Sequence, residues 1–331
     1  MRAFAFACCF SVLAGGFSPL AQGQAITIQT EGLQWLQRIS QAAKTLSYSG
    51  TFVYRSGSRS ETSRIVHLAS QGRQSEKLEV LDGSPREVIR LDDEVSCYLP
   101  ENRLVIIEQR SERRNFPALL ADGLGNVHDY YLIRMAGNER IAGFDSQRIR
   151  LEPRDEWRYG HRLWVDPASG LLLRADIVDA QGAVLESMAF TDLHVGEAVL
   201  PEALKSKYEA VAKEGWRIRQ ARLSDLRDDV PWVFRSEVPG FRKLTALRRV
   251  FGNESNEAAM LHWVFSDGLA AFSVFISPLP SPQERGEESF RTMGALSVAK
   301  RVLARHQIVV MGDLPPAAIQ HFAAGIGVRG K

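Results

Sequence analysis

The sequence predicts an α+β protein in two parts, an open antiparallel β half-barrel with a helical lid followed by a smaller α+β unit. Three observations carry this expectation: one long amphipathic stretch near the start, a long series of short alternating segments separated by turn residues, and a charged stretch of weak periodicity at 201–229 before a second run of strands.

The amino terminus comes first. Arg2 precedes an apolar run from Ala3 to Phe17, followed by Leu20, Ala21 and Gly23, which is the layout of a cleavable secretory signal. Cleavage is expected after Ala25, with Gly23 as the alternative. This gives a signal peptide at 1–25, a first domain at 26–200, a linker at 201–229 and a second domain at 230–325, and it predicts that the mature chain is exported. Cys8 and Cys9 lie inside the apolar run without the Leu-x-Gly/Ala-Cys arrangement of a lipidated signal, so no lipid anchor is expected. They leave with the signal, and Cys97 then has no partner for an internal disulfide, so apolar burial must stabilise the fold. The formal charge of +2 falls by one when Arg2 is removed, which argues against a nucleic-acid partner. No later stretch approaches the roughly 18 apolar residues that span a bilayer.

From Glu31 to Leu46 the apolar residues Leu33, Leu36, Ile39, Ala43 and Leu46 recur at intervals of three and four, with Trp35 beside the stripe, and predict one amphipathic helix. Alternation then predicts strands over Ser49–Arg55, Ser63–Leu68, Lys77–Leu81, Glu87–Leu91, Val95–Leu99 and Leu104–Gln109, joined by turns such as Asp82-Gly83-Ser84-Pro85. Phe116, Leu119, Leu120 and Leu124 among Pro117, Gly123 and Gly125 read as a short apolar helix or flap, a lid. Strands resume over Tyr130–Met135, Phe144–Glu152, His161–Val165, Leu171–Val178 and Val184–Thr191, the last three joined by the turn sequences 166–170 and 179–182. The second unit is expected to hold strands Trp232–Phe234, Ala246–Phe251, Ala259–Ser266 and Leu269–Ile276, with helices near Gln283–Arg291 and Pro315–Ala324.

Catalysis needs residue types that converge, and the sequence offers none. The seven histidines at 67, 128, 161, 194, 262, 306 and 321 are isolated, with no His-x-His, His-Glu-x-x-His or cysteine pair to complete a metal shell. There is no Gly-x-Ser-x-Gly elbow in the mature chain. Cys97, between Val95 and Leu99 in an alternating strand, reads as a small buried hydrophobe. Gly325, Gly327 and Gly330 match dinucleotide-binding spacing but lack the helix that must follow, since Lys331 is the last residue. No catalytic residue, metal site or cofactor is expected.

A sheet covered by one helix can enclose an apolar pocket that suits acyl chains. Candidate lining residues are Trp35, Leu36 and Ile39 from the helix, Phe52, Tyr54, Val66, Leu99 and Ile106 from strands, and Phe116 and Leu120 from the flap; the same side chains would also serve as an ordinary core.

The segments SYSGTFVY at Ser47–Tyr54, RIVH at Arg64–His67, PREVIR at Pro85–Arg90, CYLP at Cys97–Pro100 and LEPRDEWRYGHRLWVDPASGLLLRADIVD at Leu151–Asp179 together resemble the RseB/MucB family of periplasmic regulators. VPGF at Val238–Phe241, FSDGLAAFSVFISP at Phe265–Pro278 and VVMGDLPPAAI at Val309–Ile319 extend the resemblance over nearly the whole mature chain. The resemblance implies a first domain similar to the lipoprotein carriers LolA and LolB. It implies a role in clamping the periplasmic segment of a membrane anti-sigma factor against proteolysis, relieved by lipid or lipopolysaccharide fragments. On chemical grounds the anti-sigma segment is expected against Trp232, Phe234, Phe241, Phe272 and Phe275, with Arg242, Lys243, Arg248 and Arg249 at the rim. A homo-oligomer is a further expectation, and a lipid or lipoprotein carrier is the competing function.

Overall fold

The computed structural model describes residues 20–109, 116–120, 126–196, 198–226, 230–251, 259–281 and 286–330. Residues 1–19 of the expected signal and Leu124 of the expected flap lie outside these.

Helix α1 (Leu20–Thr45) is followed by β1 (Tyr48–Ser56), β2 (Arg59–Ser70), β3 (Arg73–Val80), β4 (Glu87–Leu91), β5 (Glu94–Leu99) and β6 (Leu104–Gln109). The short α2 (Val127–Tyr130) leads into β7 (Tyr131–Ile141), β8 (Phe144–Pro153), β9 (Gly160–Val165), β10 (Leu172–Val178) and β11 (Val184–Val195). These strands form an antiparallel sheet in the order β6-β5-β4-β3-β2-β1-β11-β10-β9-β8-β7. Among the described residues β7 and β6 do not pair, so the sheet is open. Helix α1 lies against the inner face, where Leu36 and Ile39 are fully buried with Tyr48, Ile65, Ile133, Ile149 and Leu163. The amphipathic stripe read from the sequence therefore covers the concave side of the half-barrel, as its periodicity requires.

The turns use the expected chemistry. The Asp166 carboxylate accepts hydrogen bonds from the backbone N–H groups of Ala168 and Ser169, and Gly170 takes the positive φ that closes the turn between β9 and β10. Asp179 does the same for Gln181 and Ala183, with Gly182 at positive φ between β10 and β11.

The segment expected as a linker contains ordered elements. A 3-10 turn (Pro201–Leu204) and α3 (Glu209–Lys213) lie against the outer face of the first sheet. There Lys77 Nζ donates to the Lys205 carbonyl at 2.8 Å and Ser206 Oγ donates to the buried Glu87 at 2.5 Å. Strand β12 (Arg217–Asp225) follows. Its first half, Arg217–Gln220, runs parallel to Leu104–Ile107 of β6; its second half, Ala221–Asp225, pairs with β14 (Arg242–Phe251). One strand thus belongs to both sheets. It was missed in the sequence because its exposed Arg217, Ile218 and Arg219 give no half-buried alternation.

The second sheet continues through β14, β15 (Met260–Ser266), β16 (Ala271–Pro278), β19 (His306–Gly312), β18 (Leu296–Leu303) and β17 (Ser289–Met293). Helix α4 (Pro316–Ala324) packs on β18 and β19, and β13 (Trp232–Phe234) pairs with β20 (Ile326–Val328) beside it. The helix expected over Gln283–Arg291 is corrected: residues 289–291 belong to the edge strand β17, and 283–285 lie outside the described residues. Charged and polar residues suit an exposed edge strand as well as a helix, because they discourage edge-to-edge pairing.

Helix α1 meets β7 at Gly32, where a Cβ would lie 2.4 Å from Ile133 Cγ2. Gly32→Ala is expected to lower stability by about 1–3 kcal/mol through overpacking. Adding Ile133→Ala to it should cost less than the sum of the two single changes, measured by urea unfolding, and strict additivity would separate the two residues.

Candidate functional site

Cross-strand register defines what each face presents. Ile65, Leu78, Val88, Cys97 and Ile106 stand opposite one another in neighbouring strands, and Ile106 stands opposite Arg219 of β12. Because side chains alternate along a strand, Ala221 and Leu223 share the face of Arg219, and Leu223 stands opposite Arg249 and then Met260 in the second sheet. The concave face of the first sheet therefore runs without interruption through β12 onto the face of the second sheet that lies away from α4. Arg249 and Glu108 tie the two across β12 with an ion pair of 3.5 Å between side chains that are almost buried.

Of the expected cavity residues, Leu36, Ile39, Phe52, Phe116 and Leu120 are buried in the first core, and Trp35 is packed against it with the Arg38 guanidinium 4.5 Å over its ring. Phe116 sits between Phe52 and Phe190, with ring centroids 5.1 and 4.9 Å apart, so the described part of the flap belongs to the first core beside β1 and β11. Tyr54, Leu99 and Ile106 are half-buried on the same inner face, and burial pushes the Tyr54 hydroxyl up to about 12. Val66 is the exception. It stands opposite Ser49 and Lys77, one residue out of phase with Ile65, and so faces away from α1. Cys97, expected buried, is half-buried on the inner face.

The anti-sigma candidates divide. Trp232 and Phe272 are buried in the second core and Phe234 packs against it, its ring 5.3 Å from Trp263 and 5.6 Å from Phe322. These three hold α4 and β13 to the sheet and cannot also present their rings to a partner in this arrangement. Phe275 lies on the other face, stacked on His262 at 4.2 Å. Arg242, Lys243 and Arg248 are exposed, whereas Arg249 is engaged with Glu108.

The feature that sequence reasoning missed is the junction between the two cores. The turn between β8 and β9 carries Trp157, which packs against the second core near His321, and Arg158, whose side chain is fully buried. Arg158 Nε donates to Asp267 Oδ2 at 2.8 Å, and the guanidinium also donates to Asp155 and to the Pro239 carbonyl. The same guanidinium lies 4.3 Å over the Tyr130 ring and 5.0 Å over Phe241. Gly240, at positive φ, has no room for a Cβ between Tyr130 and Arg158. Asp267 also receives the hydroxyl of Tyr131 at 3.4 Å, and its other oxygen accepts the backbone N–H groups of Leu269 and Ala270. Arg158 and Asp267 are 109 residues apart, and no local pattern links them. A second contact joins the Ala295 N–H to Glu186, at the turn between β17 and β18.

Burial pushes the Tyr131 hydroxyl well above its ordinary value, with Asp267 adding to the effect. Burial pushes His161, on the inner face beside Tyr131, down to about 4 against the opposing pull of Asp267, and among the described residues its Nε2 has no hydrogen-bond partner. Among the described residues no group of three His, Cys, Asp or Glu is placed to hold a metal ion, and no helix is long and apolar enough to cross a membrane.

Two family models match the chain, the MucB/RseB N-terminal domain over residues 31–208 and the MucB/RseB C-terminal domain over 227–327. The sigma factor AlgU regulatory protein MucB of Pseudomonas aeruginosa is 28% identical over 304 residues, covering 91% of this chain and 92% of that protein. The sigma-E factor regulatory protein RseB of Haemophilus influenzae is 25% identical, covering 89% and 91%. A crystal structure of MucB in complex with MucA(peri) is similar with a TM-score of 0.67 and 26% identity, covering 91% of this chain and 100% of that one.

Because His161 is held neutral in the folded protein while an unfolded chain takes up a proton near 6.5, its contribution to stability is intact above that pH. It is lost as the pH falls toward about 4, a total of up to about 3 kcal/mol. His161→Gln is expected to flatten this part of the pH–stability profile in calorimetry; an unchanged slope would place the acid sensitivity elsewhere. Asp267→Ala, which leaves Arg158 buried without its main counter-charge, is expected to cost about 3–5 kcal/mol in denaturant unfolding.

Proposed function

Since this chain belongs to the MucB/RseB family, we propose that it is an exported regulator of a sigma factor that acts by binding. In this reading it holds the periplasmic segment of a membrane anti-sigma factor, shields that segment from the first regulated protease, and releases it when lipid or lipopolysaccharide fragments enter the first core. The observation that carries the reading is the extent of the likeness to MucB as seen in its complex with MucA(peri): it runs through both sheets and the strand between them, not through the first sheet alone. A carrier built only from the first sheet would have no use for the second.

The geometry supports each part. The first core is closed by Phe116 and Leu120, so an acyl chain entering it must displace apolar side chains rather than break a polar network. The exposed Arg242, Lys243 and Arg248 place positive charge along β14, Arg242 on the face of Phe275 and the other two on the opposite face, which suits a peptide bearing acidic residues.

The deciding experiment is cleavage of a MucA-like periplasmic segment by its first protease, with and without the purified mature protein and with added lipopolysaccharide. Protection that lipopolysaccharide reverses is expected. Absence of binding and of protection would leave a lipid or lipoprotein carrier as the better reading. Reversing Arg242, Lys243 and Arg248 together to glutamate is expected to weaken the anti-sigma segment by roughly tenfold or more, with a smaller salt dependence. An unchanged affinity would remove these residues from the binding surface.

A further inference from the structure

The proposed function needs a physical connection between an amphiphile in the first core and a peptide held partly by the second sheet. We propose that Tyr131 and Asp267 are that connection: positioning residues through which a change in the first core moves the second sheet and lowers its hold on the anti-sigma segment. This rests on the reading above and adds the route of regulation to it.

Tyr131 is fully buried and belongs to the first core, where its strand carries the Ile133 side chain that Gly32 of α1 packs against. The helix that would be pushed by an entering acyl chain therefore rests directly on β7. At the start of that strand the Tyr131 hydroxyl reaches out of the first core to Asp267 at 3.4 Å. Asp267 is not a passive acceptor. Its Oδ1 holds the N–H groups of Leu269 and Ala270 at 2.9 and 2.8 Å, Ser266 Oγ donates to the Ala270 carbonyl at 2.8 Å, and the Gly268 N–H donates to Ser266 Oγ at 2.9 Å.

The turn 266–270 is consequently braced from within, and it joins β15 to β16 in the middle of the second sheet. Leu269 at its tip packs against the first core. A shift of β7 is thus delivered to a stiff lever whose other end is the pair of strands bearing His262 and Phe275. Arg158 defines one seating of the junction, in which its ion pair with Asp267, its hydrogen bond to Pro239 and its contact with Phe241 all hold the second sheet to the β8–β9 turn. Two seatings of one packed junction, each favoured by a different ligand, suffice for coupling, and the coupling is reciprocal.

The test compares wild type with Tyr131→Phe, which keeps the buried ring and removes only the hydroxyl. The affinity of a MucA-like periplasmic segment is measured by titration with and without purified lipopolysaccharide. In wild type, lipopolysaccharide is expected to weaken binding by a factor of about 5–150, the usual range for such coupling. In Tyr131→Phe that factor is expected to fall toward one, while the affinity without lipopolysaccharide stays within about threefold of wild type. Loss of a merely structural contact would instead lower both affinities together and leave their ratio unchanged. A ratio that persists in Tyr131→Phe overturns the coupling alone; a wild type that binds the segment with no lipopolysaccharide effect overturns the release mechanism as well.

Amide exchange in the unaltered protein gives an independent readout. Leu269 and Ala270 are expected to exchange faster when lipopolysaccharide is added, and unchanged exchange at both overturns the proposal whatever the variant does.

Discussion

The buried guanidinium of Arg158 is the constraint on which the arrangement of the two sheets depends. It comes from a turn of the first sheet and has its counter-charge, a carbonyl partner and an aromatic face in the second part of the chain, at Asp267, Pro239 and Phe241. A charge without solvent must keep its partners, since losing one leaves an uncompensated ion in a low-dielectric site. This is why Gly240 has no room for a side chain and why Tyr130 lies flat beneath the guanidinium. The junction is therefore specified by polar geometry, with Trp157 and Leu269 supplying the apolar contact around it.

Strand β12 makes the second connection, and it works differently. Four residues pair with β6 and five with β14, so the backbone itself carries the sheet from one core to the other. Such a ladder permits twist and bending about the strand but resists separation. Taken together, β12 joins the two sheets along one line and the Arg158 junction fixes their angle at a second place. The inner face that crosses β12 is apolar in the first sheet, basic at Arg217 and Arg219, and mixed in the second. A change of angle alters that one surface along its length.

Much of the fold was legible in the sequence, and the reasons are local. Helix α1 buries a stripe with a 3.6-residue period, and strands such as β1 and β2 bury alternate residues, so their pattern is written into the order of residues. Asp166, Gly170, Asp179 and Gly182 mark their turns by chemistry that only turns need. Two of the elements that escaped lack a one-sided environment, while β18 and β19 escaped although each buries alternate residues. Strand β12 is exposed on both faces over its first half, and the edge strand β17 carries residues that serve a solvated helix equally well. The site was less legible for a related reason. Val66 was assigned to a lining because apolar character does not state a phase, and the register with Ser49 and Lys77 is what places it on the outer face. The aromatics of the second unit looked available because a buried ring and a binding ring have the same sequence signature. Arg158 and Asp267 each sit in an ordinary polar turn, and only tertiary structure makes them partners.

The chemistry of the junction bears directly on regulation. Two cores welded by apolar area alone would be held by a term that grows with every square ångström and is indifferent to small shifts in position. A buried ion pair behaves in the opposite way: its Coulomb gain largely cancels the cost of desolvation, yet its energy rises steeply when either partner moves. Such a contact adds little net stability and much positional definition. That combination is what a ligand-gated clamp requires, because a ligand shifts an equilibrium only by its differential affinity for the two states, typically about 1–3 kcal/mol. An interface far more stable than this would be deaf to an amphiphile, and one without definition would have no second state to choose. The gating proposed above rests both demands on one carboxylate, that of Asp267, which holds Arg158 and is reached from the first core by the Tyr131 hydroxyl.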